Sequence, residues 1–144
     1  MKEAFFYGLF MDEQILAQRG VACEDVRLCY LDNFGLKLAR RLNLVVEPGA
    51  RVYGCVMRVD CDALIQLYAS ESLVEYVSRE VNVITDGGKD VEASCYMLAE
   101  ADSQTRAEAE SGAEPEYVAE LLSVIEGKKF PASYVARVRR LLTD

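Results

Sequence analysis

The pattern of apolar and polar positions divides the chain into strands and helices in a definite order. Residues 3–7 are apolar and rich in aromatics, and read as a first strand. Asp12 is placed to cap a helix whose apolar side is Ile15 and Leu16, with Gly20 suited to its end. Ile15 stands where a capping box would need Glu or Gln, so that stronger signature is absent. Segments 26–31 and 34–39 read as two strands around the turn pair Asp32-Asn33. Leu42 to Val46 reads as another, closed by Pro48-Gly49. Residues 51–59 form a strong β segment with Gly54 inside it, and such a glycine marks a bulge, a bend or a close backbone approach.

Further along, Asp62 to Tyr68 carries Leu64, Leu67 and Tyr68 at helical spacing. Segments 80–85 and 90–98 flank Asp86-Gly87-Gly88, a hairpin signal. In the second arm Val91, Ala93, Cys95 and Met97 share one face, and Glu92, Ser94, Tyr96 and Leu98 the other. Residues 99–114 have no apolar stripe and suit a solvated helix or a linker. Pro115 opens a helix with Tyr117, Val118, Leu121, Leu122 and Ile125, stopped at Gly127. Pro131 opens the last one, with Tyr134, Val135, Val138, Leu141 and Leu142. Mostly antiparallel strands with helices set aside predict an α+β fold, and bending strands with an internal glycine suit a small barrel.

Composition narrows the chemistry. The chain has 144 residues, enough for one domain spanning 1–144 with a real core. Its formal net charge of −8 argues against a nucleic-acid or anionic-membrane surface, which needs clustered Lys and Arg. The odd count of 5 cysteines, with no C-x-x-C, indicates neither a disulfide framework nor a zinc knuckle. Most of them read as small buried hydrophobes. The count of 0 histidines removes Ser-His and Cys-His catalysis, histidine metal sites and histidine bases. Acid–base work must fall to carboxylates, Lys, Tyr or Cys. Glu3 and Asp12 interrupt the N-terminal apolar run, so it does not read as a signal peptide, and no apolar stretch is long enough to span a membrane. The expected location is cytoplasmic.

The densest signal is Phe5-Phe6-Tyr7-Gly8-Leu9-Phe10-Met11, a strand running into a Tyr-Gly pair just before a helix. Gly8 lets the backbone turn and lets a ligand approach it. Amides just after it are free of ladder partners and suited to an anion or a developing oxyanion. Many strand-to-helix corners carry a glycine for geometry alone, and spacing does not separate the two cases.

Four motifs in order resemble the gamma-glutamylcyclotransferase-like family. Tyr7-Gly8-x-x-Met11 is similar to the family's Y-G-[ST]-[LN]-[LM] loop. Pro48-Gly49 followed by Val52-Tyr53-Gly54-Cys55-Val56-Met57 resembles its V-x-G-x-[LV]-[WY] strand. Leu67 through Glu71 to Tyr76 and Val81-Asn82-Val83 is similar to its L-D-x-x-E-G, Y, V-x-V series. The Tyr96 strand, Pro115-Glu116-Tyr117, Gly127 and Pro131-Ala132-Ser133-Tyr134 complete the match. The resemblance implies a small mixed barrel flanked by helices. It also implies release of 5-oxoproline from a small-molecule gamma-glutamyl amine or peptide, as the substrate's own α-amino group attacks its γ-carbonyl. That reaction needs no cofactor or metal.

By the same resemblance Glu71 is the catalytic acid–base, with Glu75 one helical turn along as its competitor. Tyr7, Gly8, Leu9, Phe10, Met11, Tyr76, Tyr96 and Tyr117 are implied to bind substrate. The bland reading of the tyrosines is packing with a polar tip exposed. Arg40 and Arg41 suit a substrate carboxylate or a surface turn. The chain departs from the family where Leu9 replaces Ser or Thr, Phe10 replaces Leu or Asn, and Ser72 replaces the Gly after the acid–base. A non-catalytic module that keeps the pocket, binding a small molecule or a protein, is the alternative.

Overall fold

The computed structural model of the chain describes residues 1–38, 42–69, 76–98 and 114–143. Arg40, Arg41, Glu71, Ser72, Glu75 and the segment 99–113 lie outside the described residues. Five strands close into a mixed barrel: β1 (Lys2–Phe6), β2 (Cys23–Leu38), β3 (Leu42–Val59), β4 (Tyr76–Thr85) and β5 (Asp90–Leu98), in the order β1-β3-β2-β4-β5. Every pairing is antiparallel except the closing one, where β1 meets β5 in parallel at Ala4 and Ser94. Closure leaves no exposed edge on β1, so its apolar run Ala4-Phe5-Phe6 is buried throughout.

Two expectations change here. Residues 26–31 and 34–38 belong to one strand, and so do Leu42–Val46 and 51–59. Asn33 does adopt a left-handed backbone, with φ 68°, but the chain does not reverse there. Its side-chain Oδ1 accepts from the Gly49 amide on the opposite strand at 3.1 Å, while Gly49 itself sits at φ 85°. The two turn signals face each other across the ladder and form one bulge, between the pairs Asp32–Arg51 and Phe34–Val46. A bulge bends paired strands without ending them, and the β2–β3 ribbon therefore continues to the Leu38–Leu42 pair. The Asp86-Gly87-Gly88 signal does make the β4–β5 turn, with Gly88 at φ 82° and its amide bonded to the Thr85 carbonyl at 2.8 Å.

Gly54 marks a close approach. A Cβ built on it would lie 2.3 Å from the Phe6 carbonyl oxygen and 2.6 Å from the Phe5 ring, so β1 can lie this close to β3 only where β3 has no side chain.

Helices flank the barrel. After a 3₁₀ turn at Leu9–Met11 comes α1 (Glu13–Gln18), capped as anticipated by Asp12, which accepts from the Gln14 amide at 2.8 Å. α2 (Cys61–Tyr68) is capped by Asp60, which accepts from the Ala63 amide at 3.0 Å. α3 (Pro115–Glu126) buries Leu121, Val124 and Ile125, and α4 (Ala132–Thr143) buries Tyr134, Val138 and Leu142. Three of the cysteines, Cys29, Cys55 and Cys95, are buried free thiols. Burial pushes the Cys55 thiol up to about 11, so it stays protonated at neutral pH. No helix among the described residues is long and apolar enough to cross a membrane.

Candidate functional site

One cleft forms where the chain leaves β1. Its walls are Phe6, Tyr7, Gly8, Leu9, Phe10, Leu42, Tyr68, Tyr76 and Tyr117, and its volume is about 50 Å³. By the measure in which one water needs 10–15 Å³, that is room for roughly three to five water-sized groups. None of these described lining residues carries a charge.

The loop supplies the floor. Strand β1 ends at Phe6 because the next residues turn into the 3₁₀ segment, closed by hydrogen bonds from the Met11 amide to the Gly8 carbonyl and from the Asp12 amide to the Leu9 carbonyl, each 3.1 Å. Those bonds leave the first amides of the turn unused. No acceptor among the described residues reaches the Leu9 or Phe10 N–H. Gly8 keeps a negative φ of −130°, and a Cβ there would make only ordinary contact with Leu121, at 3.8 Å.

Aromatic rings make the walls. The Phe10 ring meets Tyr68 edge-on, with centroids 5.8 Å apart, and meets Phe6 in the same manner at 6.1 Å. Tyr68 in turn stacks flat on Tyr96, with centroids 3.9 Å apart and planes 4° from parallel. Phe10, one of the two large apolar residues that distinguish this loop, is thus packed into an aromatic wall.

The structure brings Tyr7, Gly8, Leu9, Phe10, Tyr76 and Tyr117 to one cleft. Met11 is fully buried beneath it, and Tyr96 stands behind Tyr68 with its carbonyl accepting from the Tyr7 hydroxyl at 3.0 Å. The other two phenols hold a backbone segment. Tyr76 donates to the Leu42 carbonyl at 3.1 Å, and Tyr117 accepts from the Leu42 amide at 2.9 Å. Both polar groups of one peptide residue are clamped by side chains from β4 and α3. Burial holds the Tyr7 and Tyr68 phenols well above their usual value, reinforced by Cys95 and by the neighbouring phenols. They can donate hydrogen bonds but cannot serve as bases near neutral pH.

Leu42 and Tyr68 line the cleft without having been singled out as site residues in the sequence, and Phe6 stood out only as part of the apolar run into the loop. Tyr68 falls on the helical spacing of Leu64 and Leu67, which reads as core, and Leu42 reads as an ordinary strand residue. Only the polar tip of Tyr68, at the last position of an apolar helix face, offered a signal. Among the described residues no group of Cys, Asp and Glu side chains could hold a metal ion.

A small closed mixed barrel with a cleft at a Tyr-Gly loop defines the class of protein. The family described as gamma-glutamyl cyclotransferase, AIG2-like, matches residues 4–132, and the chain belongs to that family. Its structure is similar to that of an uncharacterized human protein, loc79017, with a TM-score of 0.76 and 18% identity over 96% of this chain and 86% of that one. A solved gamma-glutamyl cyclotransferase gives the same values, a TM-score of 0.76 and 18% identity over 96% and 86%. YkqA from Bacillus subtilis gives a TM-score of 0.78 and 19% identity over 99% of this chain but 54% of its own, so the chain spans about half of it. At these identities the likenesses establish the fold. No curated protein sequence matches the chain.

Proposed function

We propose that the protein is a gamma-glutamylcyclotransferase-like enzyme that releases 5-oxoproline from a small gamma-glutamyl amine or peptide. One observation carries the reading. Tyr68, the last residue of α2, and Tyr76, the first of β4, both line the cleft with ring centroids 6.1 Å apart. The chain therefore enters and leaves the stretch carrying Glu71 from the cleft wall.

In this reaction the substrate's α-amino group attacks its own γ-carbonyl. The lactam C–N bond forms, the γ-amide C–N bond breaks, and the leaving group departs as a free amine. Glu71 takes the proton from the attacking amine and returns it to the leaving one. The nucleophile and the electrophile share a molecule, so the protein need only hold it folded. The Leu9 and Phe10 amides are suited to an anionic oxygen of substrate or intermediate. The absence of histidine is no obstacle, because one carboxylate suffices.

The test is 5-oxoproline release from a panel of gamma-glutamyl amines and peptides. Glu71→Gln is expected to lower kcat by roughly 10²- to 10⁴-fold with little change in KM. Unchanged turnover in that variant removes Glu71 from the mechanism. A second reading, a non-catalytic binding module, draws on Leu9 and Phe10, which bring apolar side chains to the cleft in place of a hydroxyl. Absence of release from every compound by the wild-type protein favours it.

A further inference from the structure

The four phenols at the cleft differ in how they are satisfied. Tyr7 donates to the Tyr96 carbonyl, and Tyr76 and Tyr117 are bonded to the two backbone groups of Leu42. Tyr68 is only 9% exposed, yet its hydroxyl has no hydrogen-bond partner among the described residues. Its contacts are made by the ring: flat against Tyr96, edge-on from Phe10, and tilted towards Tyr76. Buried polar groups are nearly always paired, because an unpaired donor loses its water without compensation. Tyr68 itself lines the cleft, as do two of its ring neighbours, Phe10 and Tyr76.

We infer that the Tyr68 hydroxyl is the ligand-facing donor of the cleft, and that it binds an acceptor oxygen of a small acyl ligand. The described lining residues carry no charge, so this donor contributes to fixing the ligand's orientation. The assignment rests on the proposed reaction only in naming the ligand. In a gamma-glutamyl compound the acceptor oxygen belongs either to the γ-carbonyl or to the α-carboxylate.

Binding to the intact protein separates these cases without turnover. Three probes suffice: 5-oxoproline, which has a lactam carbonyl and a carboxylate; 2-pyrrolidinone, which has only the carbonyl; and proline, which has only the carboxylate. Tyr68→Phe keeps the ring and its stack and removes one oxygen. It is expected to weaken 5-oxoproline binding roughly tenfold. A parallel loss for 2-pyrrolidinone assigns the carbonyl, and a parallel loss for proline assigns the carboxylate. The variant's melting temperature should be unchanged or higher, since an unpaired buried donor has been removed.

Unchanged affinity in Tyr68→Phe overturns the inference, as does failure of the wild-type protein to bind any of the probes. A fall in melting temperature overturns it too, by showing that the hydroxyl serves the fold. If binding behaves as expected while no gamma-glutamyl compound releases 5-oxoproline, the reaction is wrong and the Tyr68 assignment stands. If release proceeds with unaltered kcat and KM in Tyr68→Phe, the reaction stands and the assignment falls.

Discussion

Gly54 and Tyr68 illustrate opposite ways in which one residue can matter. At Gly54 the absent side chain is the feature, because β1 occupies the space a Cβ would need. The obstacles are a ladder carbonyl and the ring of Phe5, which is 1% exposed, and neither has room to yield. Gly54→Ala is expected to destabilise the fold by about 1–3 kcal/mol, measured as a lower denaturant midpoint at constant slope. A midpoint equal to wild type would mean that β1 can move away freely. The sequence flagged Gly54 but offered three explanations, and only the position of β1 chose between them. At Tyr68 the side chain's type was legible and its role was not. A tyrosine on a helix's apolar spacing looks the same whether its hydroxyl reaches a carbonyl, solvent or a ligand.

At the scale of elements, the β2–β3 ribbon shows how local signals combine. Asp32-Asn33 and Pro48-Gly49 are each turn chemistry, and each was read as the end of a strand. Opposed across a ladder, they accommodate each other's left-handed residues and bend the ribbon instead. The ribbon's continuation delivers Leu42 to the cleft, where Tyr76 and Tyr117 seize it. Leu42 is 3% exposed, so its amide has no ready access to water. Tyr117→Phe should leave that N–H unpaired, at a cost of about 1–3 kcal/mol, and speed hydrogen exchange at the Leu42 amide. Tyr76→Phe should cost less, because a carbonyl retains a second lone pair for other partners. Equal exchange rates at Leu42 in wild type and Tyr117→Phe would show that the phenol does not hold the ribbon.

At the scale of the whole molecule, the interior keeps its titratable groups neutral. Burial raises Tyr7, Tyr68, Cys29, Cys95 and Tyr134, and brings Cys55 to about 11. Each is neutral when protonated, and the folded state holds its proton more tightly than the unfolded chain does. Their contribution is therefore complete below the unfolded values and lost as pH rises through the folded ones. Stability should hold steady near neutrality and fall once pH passes the ordinary thiol and phenol values of 9.0 and 10.0. Denaturant midpoints measured from pH 7 upwards check this, and a level midpoint through about pH 11 would contradict it.

The types and order of the elements were determined by the sequence alone, because apolar periodicity, Asp caps and proline starts are properties of neighbouring residues. The same holds for the exclusion of histidine chemistry. Tertiary structure alone decided that paired turn signals would bend a ribbon, that β1 and β5 would close the barrel, and which phenols would be satisfied. The bonds that settle those roles join residues 34, 75 and 89 positions apart. No local pattern encodes a partner at that distance, since it is the packing of the whole barrel that brings the two groups together.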